Sequence, residues 1–232
     1  MVVRLNKYLK DKGFCSRRKA DDFILKGYVK VDGVVVSELG TKIDDAVNKV
    51  EVDPNAEKEK NEYVYILLYK PLDFISSKNE EEGLTVFDIV PKVEGLTYAG
   101  RLDKDSEGLI ILSNDGSFIY KITNPENEKE KEYEVTLDHD IPEASLNVMR
   151  KGVLLDGKMT KPAKVKKVSR NVYTITLTEG INRQVRRMAG KVHFNVVSLR
   201  RIRIGSISVG TLKSGEWRNL TKEEIESFDD CL

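Results

Sequence analysis

Ala99-Gly100-Arg101-Leu102-Asp103-Lys104-Asp105-Ser106-Glu107-Gly108-Leu109-Ile110-Ile111-Leu112-Ser113-Asn114-Asp115-Gly116 predicts three things in a row. A short strand leads into a tight turn carrying two carboxylates. A buried strand from Gly108 to Leu112 follows and ends in an Asn-Asp-Gly turn. The first turn holds Asp103 at the edge of an apolar sheet, two residues after Arg101. A carboxylate fixed by rigid strands beside basic side chains suits a nucleophile or a general base. The competing reading is that Asp103 and Asp105 only organise the turn, because Asp side chains readily accept hydrogen bonds from turn backbone.

Outward from this stretch, the 232 residues leave room for two domains of unequal size. The composition, 40% hydrophobic and 33% charged, is that of a globular chain. The longest apolar runs, such as Tyr63 to Tyr69, are too short to span a bilayer. Residues 1 to 20 lack the apolar centre of a signal peptide, so a cytoplasmic protein without membrane contact is expected. Cys15 and Cys231 stand at opposite ends, and His139 and His193 have no ligand spacing to them or to each other. Neither a metal nor a nucleotide cofactor is expected, since no glycine-rich phosphate loop is present either.

The net charge of +1 conceals segregation. Residues 1–36 carry nine Lys/Arg against four Asp/Glu, and residues 158–203 carry thirteen against Glu179 alone. Residues 73–157 compensate with nineteen acids and nine bases. Two basic segments in a nearly neutral chain suit a partner built of phosphates. The alternative is that the charges intermix on solvated faces.

The pattern along the chain predicts a small unit over residues 1–53, a charged linker over 54–62 and a larger domain over 63–232. In the small unit Val3, Leu5, Tyr8 and Leu9 follow helical spacing up to Gly13. Ser16 is placed to cap a second helix, which buries Ala20, Phe23, Ile24 and Leu25 and ends at Gly27. Tyr28 to Val36 reads as a hairpin about Asp32-Gly33. In the larger domain, strands are expected at Tyr65–Tyr69, Lys131–Leu137, Ala163–Ser169, Asn171–Thr178 and Asn195–Ile204. Helices are expected at Leu84–Val90, Pro142–Lys151 and Asn182–Lys191, with a Thr221/Glu224 capping box opening a terminal helix. Strands with segregated helices define an α+β class with a mixed, largely antiparallel sheet and flanking helices.

Gly100-Arg101-Leu102-Asp103, Ser106, Gly108-Leu109 and the strand ending in Asn114-Asp115-Gly116 together resemble the signature of pseudouridine synthases, of the ribosomal RNA branch called RsuA-type. Arg4-Leu5-Asn6-Lys7-Tyr8-Leu9, Ser16-Arg17-Arg18-Lys19-Ala20 and Gly27-Tyr28-Val29-Lys30-Val31-Asp32-Gly33 resemble the RNA-binding domain named for small-subunit ribosomal protein four. That second resemblance implies RNA contacts through Arg4, Lys7, Arg17, Arg18 and Lys19. The first implies a catalytic aspartate at Asp103.

Glu179-Gly180-Ile181-Asn182-Arg183-Gln184-Val185-Arg186-Arg187-Met188 reads by itself as a phosphate-binding helix. It also resembles a motif of the family, which implies that Arg186 pairs with Asp103 and lowers its pKa. Arg183 and Arg187 are expected to bind substrate. Lys131-Glu132-Tyr133-Glu134-Val135 reads as a strand with Tyr133 on its core face; the resemblance makes Tyr133 an active-site residue stacked on the target uracil. Val196 to Gly205 matches a further family run, implying that Leu199 walls the uracil pocket and that Arg201 contacts substrate. Arg101 is the candidate to fill the space left by a flipped base. The implied reaction breaks the N-glycosidic bond of a uridine and rejoins the base through C5. It needs no external cofactor. The implied partner is ribosomal RNA, more in the manner of large-subunit enzymes, or a ribosomal precursor particle, acted on by a monomer. Small-subunit or transfer RNA substrates, and a non-catalytic ribosome assembly factor, are the alternatives.

Overall fold

The computed structural model describes residues 2–15, 17–54, 56, 63–79, 81 and 83–228, the side chain of Arg18 excepted. The chain divides into two compact units, Met1–Tyr63 with Asp115–Ser117, and Val64–Asn114 with Phe118–Leu232.

The first unit runs β1 (Val2–Arg4), α1 (Leu5–Asp11), α2 (Arg17–Leu25), β2 (Val29–Val31), β3 (Val34–Val35), β4 (Lys42–Asp44) and β5 (Val50–Val52). Leu5 and Leu9, one helical turn apart, meet Ala20, Phe23 and Ile24 in a core closed by Val29 and Ile43. Each large side chain buried there contributes about 1.5–3 kcal/mol. Helical spacing places Val3 in the first helix, but it lies in β1 opposite Ile43. The reason is that Arg4 has extended backbone (φ −70°, ψ 137°) and caps the helix from there. Leu25, expected in the core, is 58% exposed, since one residue past Ile24 the helix has turned about 100° from the apolar stripe. The hairpin turn matches its sequence: Asp32 and Gly33 both have positive φ, 52° and 80°, the pair a type I′ turn requires. Ala56, within the segment expected to be linker, is buried in this core. The rest of that linker from Glu57 to Glu62, with Asn55, the expected cap Ser16 and Cys231, lies outside the described residues.

The second unit comprises β6 (Tyr65–Lys70), β7 (Thr97–Ala99), β8 (Glu107–Ser113), α3 (Gly116–Thr123), β9 (Lys131–Leu137), α4 (Glu143–Lys151), β10 (Leu154–Leu155) and β11 (Lys158–Met159). It continues with β12 (Lys164–Lys167), β13 (Val172–Leu177), α5 (Gln184–Lys191), β14 (Val196–Ile204), β15 (Ile207–Ser208), β16 (Trp217–Asn219) and α6 (Lys222–Glu226). Its main sheet has the order β12-β13-β9-β14-β8-β6-β16, with β15 on β14 and β7 on β8. Every pairing in it is antiparallel except β14 on β8. The class is therefore α+β with a mixed, largely antiparallel sheet.

The two ends of this sheet differ. β6 and β8 are buried on both faces: Ile66, Leu68, Ile110 and Leu112 enter one core, and Leu67, Tyr69, Leu109 and Ile111 the other. This explains the unbroken apolar run in β8, where alternation would mark a one-sided strand. β9 and β13 do alternate. Val135, Leu137, Tyr173, Ile175 and Leu177 pack under α4 and α5, while Glu132 and Glu134 on the other face meet Arg203 and Arg200.

Two local expectations change. Asn114-Asp115-Gly116 is a turn that continues into α3, with Asp115 Oδ1 accepting from the Ser117 amide at 2.9 Å. Leu84–Val90 holds only one 3₁₀ turn, Val86–Asp88, closed by reciprocal hydrogen bonds between Thr85 and Asp88. The capping box of Thr221 and Glu224 is present at α6. No helix among the described residues is long and apolar enough to cross a membrane.

Candidate active site

Asp103 opens a turn whose Ser106 amide donates to the Asp103 carbonyl at 3.1 Å. The turn is held from several sides. The Ser76 hydroxyl accepts from the Leu102 amide at 3.1 Å and donates to the Leu102 carbonyl at 3.0 Å. The Asp73 amide donates to the Lys104 carbonyl at 3.0 Å. Lys70, fully buried at the end of β6, donates to the Ser106 and Pro71 carbonyls at 2.6 and 2.7 Å. Burial pulls the Lys70 ammonium down to about 8, against the opposing charges of Asp105, Glu107 and Asp103. Beside the turn, β8 and β14 approach so closely at Gly108 that a Cβ there would lie 2.4 Å from the Arg201 carbonyl oxygen, at a φ of +103°.

Asp103 lines a cleft of about 300 Å³ together with Arg101, Lys131, Tyr133, Arg183, Leu199 and Arg201. The sheet thus brings together most of the residues singled out in the sequence. Tyr133 and Leu199 reach it from the neighbouring strands β9 and β14, where Tyr133 is in register with Arg201 and Val135 with Leu199. Arg101 is exposed at the rim.

The charge pairing differs from the one expected. Arg183, not Arg186, meets the Asp103 carboxylate, at 3.4 Å. The same guanidinium holds Asp105 bidentately at 2.7 and 3.3 Å. Arg183 caps α5 in the left-handed region (φ 50°). For a residue with a Cβ this costs on the order of 1 kcal/mol or more, a strain that surrounding contacts must sustain. Arg186 lies deeper and binds the turn's backbone. It donates to the Asp105 carbonyl at 2.5 Å, to Ser106 Oγ at 3.3 Å and to the Val196 carbonyl at 3.1 Å. Its Nε stands 3.3 Å from Asp105 Oδ2, an ion-pair distance without hydrogen-bond alignment. The Arg183 hydrogen bonds, with the charge of Arg186 behind them, hold the Asp105 carboxyl below its ordinary value.

Two further expectations are corrected. Arg201 lines the cleft but is 2% exposed. Its guanidinium is spent on the carbonyls of Leu109 (2.7 Å), Arg101 and Gly100 (both 3.4 Å), so it braces the strand leading to Asp103. Arg187 turns away to Asp156 in the β10–β11 turn at 2.6 Å. Glu179 and Gln184, which the motif contains but to which the sequence reading assigns no role, lock the loop before α5. Gln184 donates to Glu179 at 2.5 Å and accepts from the Ile181 amide at 3.2 Å.

In the first unit Arg4 and Arg17 are exposed. Lys7 pairs with Asp11 at 2.9 Å, and Lys19 lies over the Phe23 ring, 5.4 Å from its centroid. The Arg18 side chain lies outside the described residues.

A carboxylate in a walled cleft, with an aromatic ring, an apolar wall and guanidiniums around it, is the arrangement of an enzyme's active site. Comparison with known proteins makes this specific. Residues 64–191 match the RNA pseudouridylate synthase family, and residues 3–46 match the S4 domain. The chain is 40% identical over 227 residues to the dual-specificity RNA pseudouridine synthase RluF of Escherichia coli (strain K12), covering 96% of this chain and 77% of that one. It is 36% identical over 233 residues to the ribosomal large subunit pseudouridine synthase B of Bacillus subtilis (strain 168), covering 97% and 95%. A crystal structure of a pseudouridylate synthase superposes with a TM-score of 0.73 at 30% identity, covering 97% of this chain and 99% of that one. The chain belongs to the RNA pseudouridylate synthase family, with an S4 domain at its N-terminal end.

Proposed function

We propose that this RNA pseudouridine synthase isomerises a uridine of large-subunit ribosomal RNA, with Asp103 acting on the ribose of a nucleotide flipped out of its stack. The observation that carries the reading is the Asp103 carboxylate, held by a braced turn inside a cleft that also holds Tyr133 and Leu199. Extruding the base costs a few kcal/mol. Tyr133 offers a ring face to the uracil, Leu199 an apolar wall, and Arg101 a planar cation at the rim to occupy the vacated space. Asp103 then attacks C1′ or takes a proton from C2′. The C1′–N1 bond breaks, the base turns, and C5 bonds to C1′. The first unit supplies docking, with Arg4 and Arg17 presented to RNA phosphates. One chain furnishes every cleft residue named, so this reading requires no second copy. A ribosomal RNA substrate implies a cytoplasmic enzyme with a part in ribosome biogenesis.

The choice of RNA follows the name of the Bacillus subtilis relative. The dual-specificity relative favours a second RNA class for the same cleft. Mapping pseudouridines in total RNA from cells lacking the gene, and from cells expressing Asp103→Asn, tests both. The expected result is loss of one or a few sites in large-subunit RNA, restored by the wild-type chain and not by Asp103→Asn. In vitro, Asp103→Asn is expected to bind RNA within a few-fold of wild type with no turnover. Pseudouridine formation by that variant overturns the role of Asp103.

A further inference from the structure

Among the described residues, two of the four cations that line the cleft are committed to partners, and a third, Arg101, is exposed to solvent. Arg183 is shared by two carboxylates, and Arg201 is spent on three backbone carbonyls. Lys131 is different. It lines the same cleft and is half-buried, yet among the described residues its ammonium meets no hydrogen-bond acceptor and no carboxylate.

The reason is strand alternation. Glu130 and Glu132 flank Lys131 in sequence but are bound elsewhere, Glu130 to Lys164 and Arg203, and Glu132 to Arg203. Glu179, the acid among the cleft-lining residues of the α5 loop, is engaged by Gln184 and by the Lys161 amide. Burial lowers the Lys131 pKa, and the charge of Arg201 lowers it further, with no acid opposing them. An unpaired ammonium taken partly out of water is costly, and a ligand bringing negative charge removes that cost.

Two sources of charge enter with the substrate, the phosphates and the base. Lys131 and Tyr133 are two residues apart on β9, so their side chains leave the same face about 7 Å apart along the strand. That separation suits one ring stacked on Tyr133 with its edge reaching Lys131. The phosphates face the exposed guanidiniums at the rim. We propose that Lys131 is a further catalytic residue, donating a hydrogen bond to a carbonyl oxygen of the target uracil as the base departs. This rests on the assignment of Asp103 and Tyr133 given above. By either route the base leaves with the C1′–N1 electron pair, and its charge spreads over N1, O2 and O4. The Lys131 ammonium stabilises that charge and keeps its own proton. The base then bonds to C1′ through C5; the proton lost from C5 is balanced by one gained at N1. Fixed donors aimed at developing charge in a water-poor site are among the strongest catalytic devices.

The test uses the full chain, the variants Lys131→Met, Lys131→Gln and Lys131→Arg, and large-subunit RNA transcripts made with uridine or 5-fluorouridine. Lys131→Met is expected to lower kcat about 100-fold, the usual loss for one such donor, with KM within about threefold. Fluorine acidifies the base and makes it a better leaving group, so the loss is expected to be several-fold smaller in glycosidic cleavage of the fluorinated transcript. Lys131→Arg should retain more activity than Lys131→Gln. If Lys131→Met fails to fold by circular dichroism, the Gln and Arg variants decide the question by the same ratio. Equal losses on both transcripts, or a defect in KM alone that saturating RNA repairs, overturn the proposal in favour of a structural role or a phosphate contact. A wild-type enzyme inactive on every RNA overturns the functional reading and this inference with it. An active wild type matched by Lys131→Met overturns the inference alone.

Discussion

Asp105 stands two residues from Asp103 and takes the guanidinium that would otherwise settle fully on it. Its bidentate hold on Arg183 leaves only a 3.4 Å contact to Asp103, so the Asp103 carboxylate is near a cation without being locked to it. Asp105→Asn keeps the shape and removes the charge. It is expected to pull Arg183 onto Asp103 and lower kcat about tenfold through misplacement, with KM little changed; a single-turnover time course of pseudouridine formation measures this. Lys70 gives a pH signature. Its folded pKa, about 8, lies below the ordinary lysine value of 10.5. Between those values the unfolded chain binds the proton that the folded chain has released. Lys70 therefore penalises folding fully below pH 8, and the penalty fades as pH rises toward 10.5. Relative to Lys70→Met, wild-type unfolding free energy should climb across that window by an amount on the order of 3 kcal/mol, as read by urea unfolding at a series of pH values.

The elements behind the site are unevenly legible in the sequence. β9 is readable to the residue because Tyr133, Val135 and Leu137 alternate with acids. α1 and α2 are readable from Leu5 and Leu9, and from Ala20, Phe23 and Ile24. α3 is hidden because Asn-Asp-Gly signals a turn whether or not a helix follows. Asp103, Tyr133, Leu199 and Arg183 can be gathered from motifs. The partner of each arginine cannot. Lys70 and Arg201 bind backbone carbonyls 36 and 92 residues away, and every residue has a carbonyl, so side-chain identity says nothing about which one is met. The β8–β14 junction is the element on which the site depends. Gly108→Ala places a Cβ 2.4 Å from the Arg201 carbonyl oxygen at a φ of +103°. It is expected to cost about 3 kcal/mol or more, since neither strand can retreat without opening a core. Denaturant unfolding should report the destabilisation, with kcat falling alongside.

At the scale of the whole molecule, the basic strip over residues 158–203 is less positive than its sequence suggests. The fold pairs Lys161 with Glu128, Lys164 with Glu130, Arg203 with Glu130 and Glu132, Arg200 with Glu134, and Arg187 with Asp156. The acidic span 73–157 thus neutralises much of it, and uncommitted charge for phosphates must be sought elsewhere, including Arg4 and Arg17. The double variant Arg4→Ala/Arg17→Ala is expected to weaken RNA binding and to flatten the log–log salt dependence by about 0.7 for each phosphate it no longer neutralises. Its kcat at saturating RNA should be unchanged. Lys164→Ala should leave the salt slope where it was, and filter binding across a salt series compares the two. The one parallel pairing of the sheet also carries a consequence for how the enzyme comes into being. Arg201 reaches the Leu109 carbonyl across 92 residues, and closing so long a loop comes late in folding because its entropy must be surrendered before any contact repays it. A nascent chain that has not yet delivered β14 has Asp103 and Arg183 but lacks the Leu199 wall and the Arg201 brace of the cleft. The protein is therefore expected to leave synthesis inert and to gain activity only after β14 has docked.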